Sequence, residues 1–251
     1  MKFPLICVGT YHKTGTLWMQ SIFMAAAQKL GVAFYGPDLA AHGAATEGRF
    51  LGIYFDDHCR IPKTLRAGNL RGFRLIRDPR DVVISGAHYH SKSTEPWLQR
   101  PIDRLGGLSY QAALGAQGGW QERYAFEMQE TAGATIDHML ADIALESDVF
   151  RTVHYEDLIG TEEGHKHFAE LVDFLGFTSG EANVLMDCFT EFSLASGKKA
   201  DSQHVRSGER QQWKSVYTRA LAEKFIDRHG DTLIALGYEK DHDWASMLGQ
   251  S

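Results

Sequence analysis

The sequence contains few cysteines, and their positions give no sign of cross-linking or metal binding. The three cysteines are Cys7, Cys59 and Cys188. They form neither a C-x-x-C pair nor a zinc-ligand spacing, so we expect neither a disulfide framework nor a metal site. Cys7 lies within an apolar stretch and is expected to be a small residue of the core.

Long apolar runs and an excess of basic residues are also missing. No apolar run approaches the ~18 residues that span a membrane, and we expect no signal peptide at Met1–Pro4. A cytoplasmic protein without a transmembrane segment is therefore expected. The formal net charge of −6 argues against nucleic-acid binding, which needs a broad basic surface. Basic residues do cluster around residues 60–80 and 198–210, which leaves room for a local basic pocket.

The composition that is present is typical of a globular protein. Hydrophobic residues make up 43% and charged residues 23% of the 251 residues, and a chain of this kind can bury a sizeable core. We expect a single domain over residues 1–251.

Apolar, strand-like runs alternate with helical stretches along the chain. Buried strands are predicted at residues 4–9, 72–77 and 148–154, and a helix is predicted over about Thr16–Leu30 with Gly31 as its C-terminal cap. The residues expected on or near the inner face of this helix are Trp18, Ile22, Met24 and Ala25. The alternation predicts an α/β fold, a P-loop-like domain with a central parallel β-sheet flanked by helices.

The first strand leads into the segment Gly9–Trp18, which has the features of an anion-binding turn before a helix. Gly15 permits close approach of the backbone to a phosphate, and the amides at the start of the helix would point at it. Lys13 would add a positive charge, but it precedes Gly15, whereas the usual G-x-x-x-x-G-K-[ST] loop has its lysine after the last glycine. The alternative is a turn that the glycines and threonines merely shape.

The second segment, Arg77–Ser85, follows the strand at residues 72–77. Its arginine at the strand end and its serine on the following helix suit a second phosphate group. Taken alone, the segment is better explained as a surface cluster of solvated ion pairs. Both segments are expected at the carboxyl edge of the sheet, where ligands bind in such folds.

Four segments of the chain resemble, in order, motifs of the sulfotransferase family. Thr10–Trp18 resembles the loop T-Y-P-K-S-G-T-T-W, and Arg77–Ser85 resembles R-[ND]-P-[RK]-D-x-x-x-S. His154–Leu158 is similar to a Y-E-D-L segment, and His204–Gly208, followed by Trp213-Lys214, is similar to a C-terminal R-K-G…W-K segment. The four matches together are far more specific than any one of them.

The resemblance implies that the donor is 3′-phosphoadenosine 5′-phosphosulfate (PAPS), that its product is PAP, and that no metal takes part. The residues that would hold the 5′ phosphosulfate are Lys13, Thr14, Gly15, Thr16 and Leu17. Those that would hold the 3′ phosphate are Arg77, Ser85, Arg206, Ser207 and Gly208. Those that would lie at the adenine are Trp18, Tyr155 and Phe192. For each of these three aromatic residues, a place in the hydrophobic core is the alternative.

The resemblance also implies transfer of a sulfuryl group to a hydroxyl of a small molecule, lipid or sugar. Lys13 would stabilise the charge that develops on the leaving phosphate. The acceptor needs a base, and His58 is expected to serve, because it lies between the first two motifs as the family's catalytic histidine does. The K-T that precedes that histidine in the family is missing here. The alternatives to His58 are a surface or structural role for it and another base: His88, His90 or Glu47.

Two further interpretations stay open. A P-loop nucleotide kinase would carry a lysine directly after Gly15, where Thr16 stands instead. A catalytically inactive nucleotide-binding protein of the same fold would have His58 away from the site.

Overall fold

The computed structural model describes residues 1–37, 52–62, 69–160, 162–193 and 210–248. The chain divides into two compact units. The first unit is Met1–Arg77 with Ala144–Gly208, and the second is Asp78–Ile143 with Glu209–Ser251. The expectation of a single domain over residues 1–251 stays a prediction.

A parallel sheet forms the centre of the first unit. Its strands are β1 Leu5–Gly9, β2 Ala33–Tyr35, β3 Gly52–Asp56, β4 Leu70–Ile76 and β5 Phe150–His154. They are arranged in the order β2-β3-β1-β4-β5, and each neighbouring pair is parallel. Gly9 at the end of β1 is level with Asp56 of β3 and Arg74 of β4. The carboxyl ends of these strands therefore meet at one edge of the sheet, which confirms the predicted α/β architecture.

The helices of the described residues follow in chain order. They are α1 Thr16–Leu30, α2 Pro79–His90, α3 Tyr110–Gly115, α4 Trp120–Gln129, α5 Thr131–Ala141, α6 Tyr155–Leu158, α7 Glu162–Phe174, α8 Ser179–Glu191, α9 Trp213–Val216 and α10 Arg219–Ala235. Short 3₁₀ segments lie at Pro96–Gln99, Asp103–Leu105, Asp142–Leu145 and Asp243–Met247. Across these described ranges, no helix is both long enough and apolar enough to cross a membrane.

One face of the sheet packs against α1 and the helices that follow β5. The Phe23 ring of α1 lies 5.6 Å from that of Phe73 in β4 and 6.3 Å from that of Phe168 in α7. The helix ends as predicted at Gly31, whose N–H donates to carbonyl groups of the last turn. Met24, expected on or near the inner face, is 52% exposed. That prediction was wrong because the run Phe23–Ala27 is apolar on every side of the helix, so its periodicity does not mark one face.

The other face of the sheet carries buried polar side chains. Side chains alternate between the two faces along a strand. The residues of β3 and β4 that alternate with the core residues therefore point away from α1. Among them, the Tyr54 hydroxyl donates to Asp56 Oδ2 at 3.0 Å, and Arg74 Nε donates to Thr152 Oγ1 at 2.9 Å. This face therefore holds a buried hydrogen-bonded layer near the carboxyl edge.

In the second unit, the Asp-Pro-Arg sequence forms the start of α2. The Asp78 carboxylate accepts the Arg80 backbone N–H at 3.0 Å and so caps the helix, with Pro79 in the first turn. The same carboxylate pairs with the Arg80 guanidinium at 2.9 and 2.8 Å, and both side chains are buried. The Arg80 guanidinium also lies 3.6 Å from the Trp213 ring centroid. This pair is a buried structural element and not the solvated surface cluster that the segment alone suggested.

Candidate functional site

The loop between β1 and α1 is organised around the backbone of Tyr11. The Tyr11 carbonyl accepts the Thr14 N–H at 3.1 Å and the hydroxyls of Thr14 and Thr16, each at 2.9 Å. The Tyr11 N–H donates to Thr14 Oγ1 at 2.9 Å. The two threonine hydroxyls thus shape the turn, as the alternative interpretation proposed. The same hydrogen bonds hold the loop in one conformation.

Two residues of this loop have left-handed backbone conformations. Lys13 has a φ of +66° and Gly15 a φ of +109°. A non-glycine residue in this region costs about 1 kcal/mol or more, and such conformations cluster at functional sites. At Gly15 a Cβ atom would lie 3.2 Å from side-chain atoms of both Leu75 and Tyr155. Only glycine fits the second position without strain.

The start of α1 is electrostatically open to an anion. Gly15 is its N-cap residue and provides no side-chain hydrogen bond, and the first turn contains no acidic side chain. The first amides of a 15-residue helix are therefore not satisfied by a cap. The partial positive charge of the helix dipole at this end favours a phosphate or sulfate group.

Arg77 lies directly beside the loop. It is 7% exposed, and its Nη1 donates to the Lys13 carbonyl at 3.3 Å. Its guanidinium carbon lies 4.8 Å from the centroid of the Tyr155 ring, a distance suited to a cation–π contact. The structure thus brings together Lys13, Gly15, Arg77 and Tyr155, which the sequence assigned to one site from segments far apart in the chain.

The aromatic residues assigned to adenine lie in or against the core of the first unit. The Trp18 ring packs 5.8 Å from Tyr155 and 5.6 Å from Phe189, and Trp18 and Tyr155 are buried. Phe192, at the end of α8, is partly buried against the same core. Leu17 on α1 is exposed. The core alternative describes these contacts, and an adenine-binding role stays a prediction.

His58 lies in the turn that follows β3. Its side chain is exposed, and its backbone N–H donates to Asp56 Oδ1 at 2.8 Å. The same oxygen accepts the Arg60 N–H at 3.1 Å, and Asp56 is only 2% exposed. The described bonds of Asp56 hold the backbone of the turn, so it fixes where the imidazole is attached rather than how the ring is oriented.

Two buried residues at this edge were missed by the sequence analysis. Arg74 on β4 and Tyr11 in the loop are each 1% exposed, and Arg74 Nη1 donates to the Tyr11 hydroxyl at 3.5 Å. Burial, more than the nearby Cys59, raises the pKa of the Tyr11 phenol well above its ordinary value. The available signal was the position of Arg74 between the apolar residues Phe73 and Leu75, since a charge is not buried in a strand without a partner.

The remaining site residues of the sequence analysis lie in the second unit or outside the described ranges. Ser85 is half-buried on α2 of the second unit, and His88 is bonded there to the Tyr124 hydroxyl at 3.0 Å. His90 is fully buried and pairs with the buried Glu127 at 3.0 Å, so it is not a residue of the helix surface; its role as a base stays a prediction. The residues that lie outside the described ranges are Glu47, Arg206, Ser207 and Gly208.

Comparison with known families and structures identifies relatives of this arrangement. Residues 4–236 match the model of the sulfotransferase domain family. A search of curated proteins gives no match.

Solved structures of similar fold include two enzymes crystallised with PAP. A mouse sulfotransferase, SULT7A1, complexed with PAP is 14% identical and has a TM-score of 0.59, with 93% of this chain and 84% of that chain covered. A retinol dehydratase in complex with androsterone and the inactive cofactor PAP is 14% identical, has a TM-score of 0.58, and is covered over 80% of its length by 92% of this chain. At this identity the likeness shows a shared P-loop-like α/β fold.

Proposed function

This chain belongs to the sulfotransferase domain family, and on that basis we propose that it transfers a sulfuryl group from PAPS to an acceptor hydroxyl. The structures of similar fold that hold PAP support this donor. The observation that carries the proposal is the loop before α1, where Lys13 and Gly15 lie at the uncapped start of the helix.

The residues of this loop fit an anionic group. The helix start offers backbone amides and carries no acidic side chain, and Lys13 adds a full positive charge. Thr14 and Thr16 hold the loop shape through their hydroxyls. We assign the 5′ phosphosulfate to Lys13, Thr14, Gly15, Thr16 and the Leu17 amide.

Arg77 is the described residue best suited to a further phosphate group of the donor. Its guanidinium is held by the Lys13 carbonyl and the Tyr155 ring, which leaves the planar fork ordered before any ligand binds. The sequence motif adds Ser85, Arg206, Ser207 and Gly208 to this group. We assign the adenine to Trp18, Tyr155 and Phe192, as the resemblance to the family implies.

The proposed transfer needs two contributions from the protein: a positive charge at the leaving phosphate and a base for the proton of the acceptor. PAPS supplies an activated sulfuryl group. Lys13 stabilises the negative charge that develops on the leaving phosphate. His58, exposed in the turn after β3, is proposed to take the proton of the acceptor hydroxyl as a general base.

The acceptor is proposed to be a small molecule, a lipid or a sugar that presents a hydroxyl. The cytoplasmic location expected from the sequence stays a prediction.

Titration with nucleotides tests this proposal directly. We expect the full chain to bind PAP more tightly than ATP, and to release PAP from PAPS when phenols, aliphatic alcohols and sugars are offered in turn. Tighter binding of ATP with phosphate transfer would replace the proposal by a kinase. PAP binding without turnover of any acceptor would favour the inactive nucleotide-binding alternative.

A further inference from the structure

We propose that Arg74 is a positioning residue for the loop between β1 and α1, residues 10–15, acting by anchoring the Tyr11 hydroxyl and placing a positive charge behind the loop. This inference rests on the proposed function, because it names a further residue that tunes the same donor site. Arg74 belongs to none of the four sequence motifs, and its strand position is that of a core residue.

The position of Arg74 is set by the sheet. Its Cα is level with Gly9 of β1, the last residue before the loop, and with Thr152 of β5. Its Nε donates to Thr152 Oγ1 at 2.9 Å, and its Nη1 donates to the Tyr11 hydroxyl at 3.5 Å. The guanidinium therefore connects β5 with the loop that follows β1.

Tyr11 transmits this contact to the loop backbone. Its ring hydroxyl is held by Arg74, and its backbone carbonyl accepts the bonds from Thr14 and Thr16 that close the turn. Because Tyr11 is 1% exposed, its ring has no room to rotate away from these contacts. Movement of the phenol would shift the carbonyl on which the turn depends.

The charge of Arg74 adds an electrostatic contribution. A guanidinium that is 1% exposed is poorly screened by water, so its field reaches further than that of a surface arginine. Both hydroxyls that it contacts in these bonds are neutral, since burial keeps the Tyr11 phenol protonated by raising its pKa. A positive charge behind the loop favours an anionic donor in front of it.

The test compares substitutions of Arg74 and Tyr11 by their affinity for PAP, measured by calorimetry. We expect Arg74→Met to weaken PAP binding by about tenfold or more, as loss of a buried charge near an anion does. Arg74→Lys, which keeps the charge, should recover most of that loss. Tyr11→Phe should weaken binding by a smaller factor. The double variant Arg74→Met with Tyr11→Phe should bind PAP no more weakly than Arg74→Met alone.

Arg71 provides a matched control on the same strand. It lies at the opposite end of β4, where its guanidinium packs 4.7 Å from the Phe3 ring and 5.1 Å from the Phe174 ring. Arg71→Met should leave PAP affinity unchanged while it also removes an arginine from β4. If the role of Arg74 were purely structural, Arg74→Met and Arg71→Met would both lower thermal stability, and Arg74→Lys would not recover PAP affinity.

The outcomes separate this inference from the proposed function. If the unmodified chain binds PAP and Arg74→Met binds it equally well, the inference is overturned and the function stands. If the unmodified chain does not bind PAP, both fail together. Should Arg74→Met not fold, unchanged PAP affinity in Tyr11→Phe would be enough to overturn the inference, because Arg74 is proposed to act through the Tyr11 hydroxyl.

Discussion

The carboxylate of Asp56 accepts the backbone N–H of His58 at 2.8 Å, while the Asp56 carbonyl accepts the N–H of Thr10 at 2.9 Å. One buried residue at the end of β3 therefore connects the start of the loop between β1 and α1 with the turn that carries the proposed base. In the proposed function, the relative position of donor and base therefore depends on Asp56, although its own side chain is not proposed to react.

Replacing Asp56 by alanine should damage both stability and turnover. The substitution leaves the amides of His58 and Arg60 without their acceptor, and we expect a loss of about 2 kcal/mol in the free energy of unfolding. Turnover of PAPS should fall roughly tenfold or more, because even a small displacement of the His58 imidazole from the acceptor hydroxyl lowers the rate of proton transfer. Urea denaturation and a PAP-release assay measure the two effects.

The neighbouring Asp57 is the control for this experiment. It is exposed, so Asp57→Ala should change the free energy of unfolding by no more than about 0.5 kcal/mol. Equal effects of the two alanine variants would show that the turn does not depend on the Asp56 carboxylate.

Replacing His58 by alanine should separate chemistry from donor binding. Loss of a general base lowers the rate by about 10²-fold or more, and we expect that fall in turnover with unchanged affinity for PAP. His138, an exposed histidine on α5, is the matched control, and His138→Ala should retain full turnover. Full turnover in His58→Ala would transfer the role of base to another group, with His88 the first described residue to test.

Much of this fold follows from local sequence, and the elements that do not are instructive. The first strand, α1 and its Gly31 cap were predicted because apolar runs, helical spacing and a terminal glycine all agree there. β2 and β3 were not predicted as strands. β2 has only three residues, none of them buried. β3 has only five residues, and so short an apolar run is an ambiguous signal for a strand.

Buried polar contacts were beyond the reach of the sequence. Arg74 meets Thr152 across 78 positions of the chain, and His90 meets Glu127 across 37. A charged residue is expected at the surface until a partner is known, and nothing local identifies a partner so distant. For this reason the family motifs located Lys13 and Arg77, whereas the residues that support them became evident only from the structure.

The left-handed backbone at Lys13 predicts that two substitutions will differ in stability but lose the same activity. Glycine adopts this conformation without a Cβ penalty, so Lys13→Gly should fold more stably than Lys13→Ala, by up to about 1 kcal/mol. Both variants lose the ammonium group, and both should lose about 10²-fold in PAPS turnover. Thermal denaturation and PAP release distinguish the two effects. An alanine variant as active as the parent would remove Lys13 from the mechanism.

The two glycines that flank α1 allow the cost of a left-handed backbone to be separated from the cost of crowding. Gly31 has a φ of +66°, and a Cβ placed on it would have no neighbouring atom within 4 Å, whereas a Cβ on Gly15 would meet Leu75 and Tyr155 at 3.2 Å. Gly31→Ala should therefore cost about 1 kcal/mol in unfolding free energy and leave PAP affinity unchanged. Gly15→Ala should cost more than Gly31→Ala and should also weaken PAP binding, because the loop must shift from its anion-binding shape to admit the methyl group. Equal stability losses with full PAP affinity in both variants would mean that the Gly15 backbone does not approach the donor.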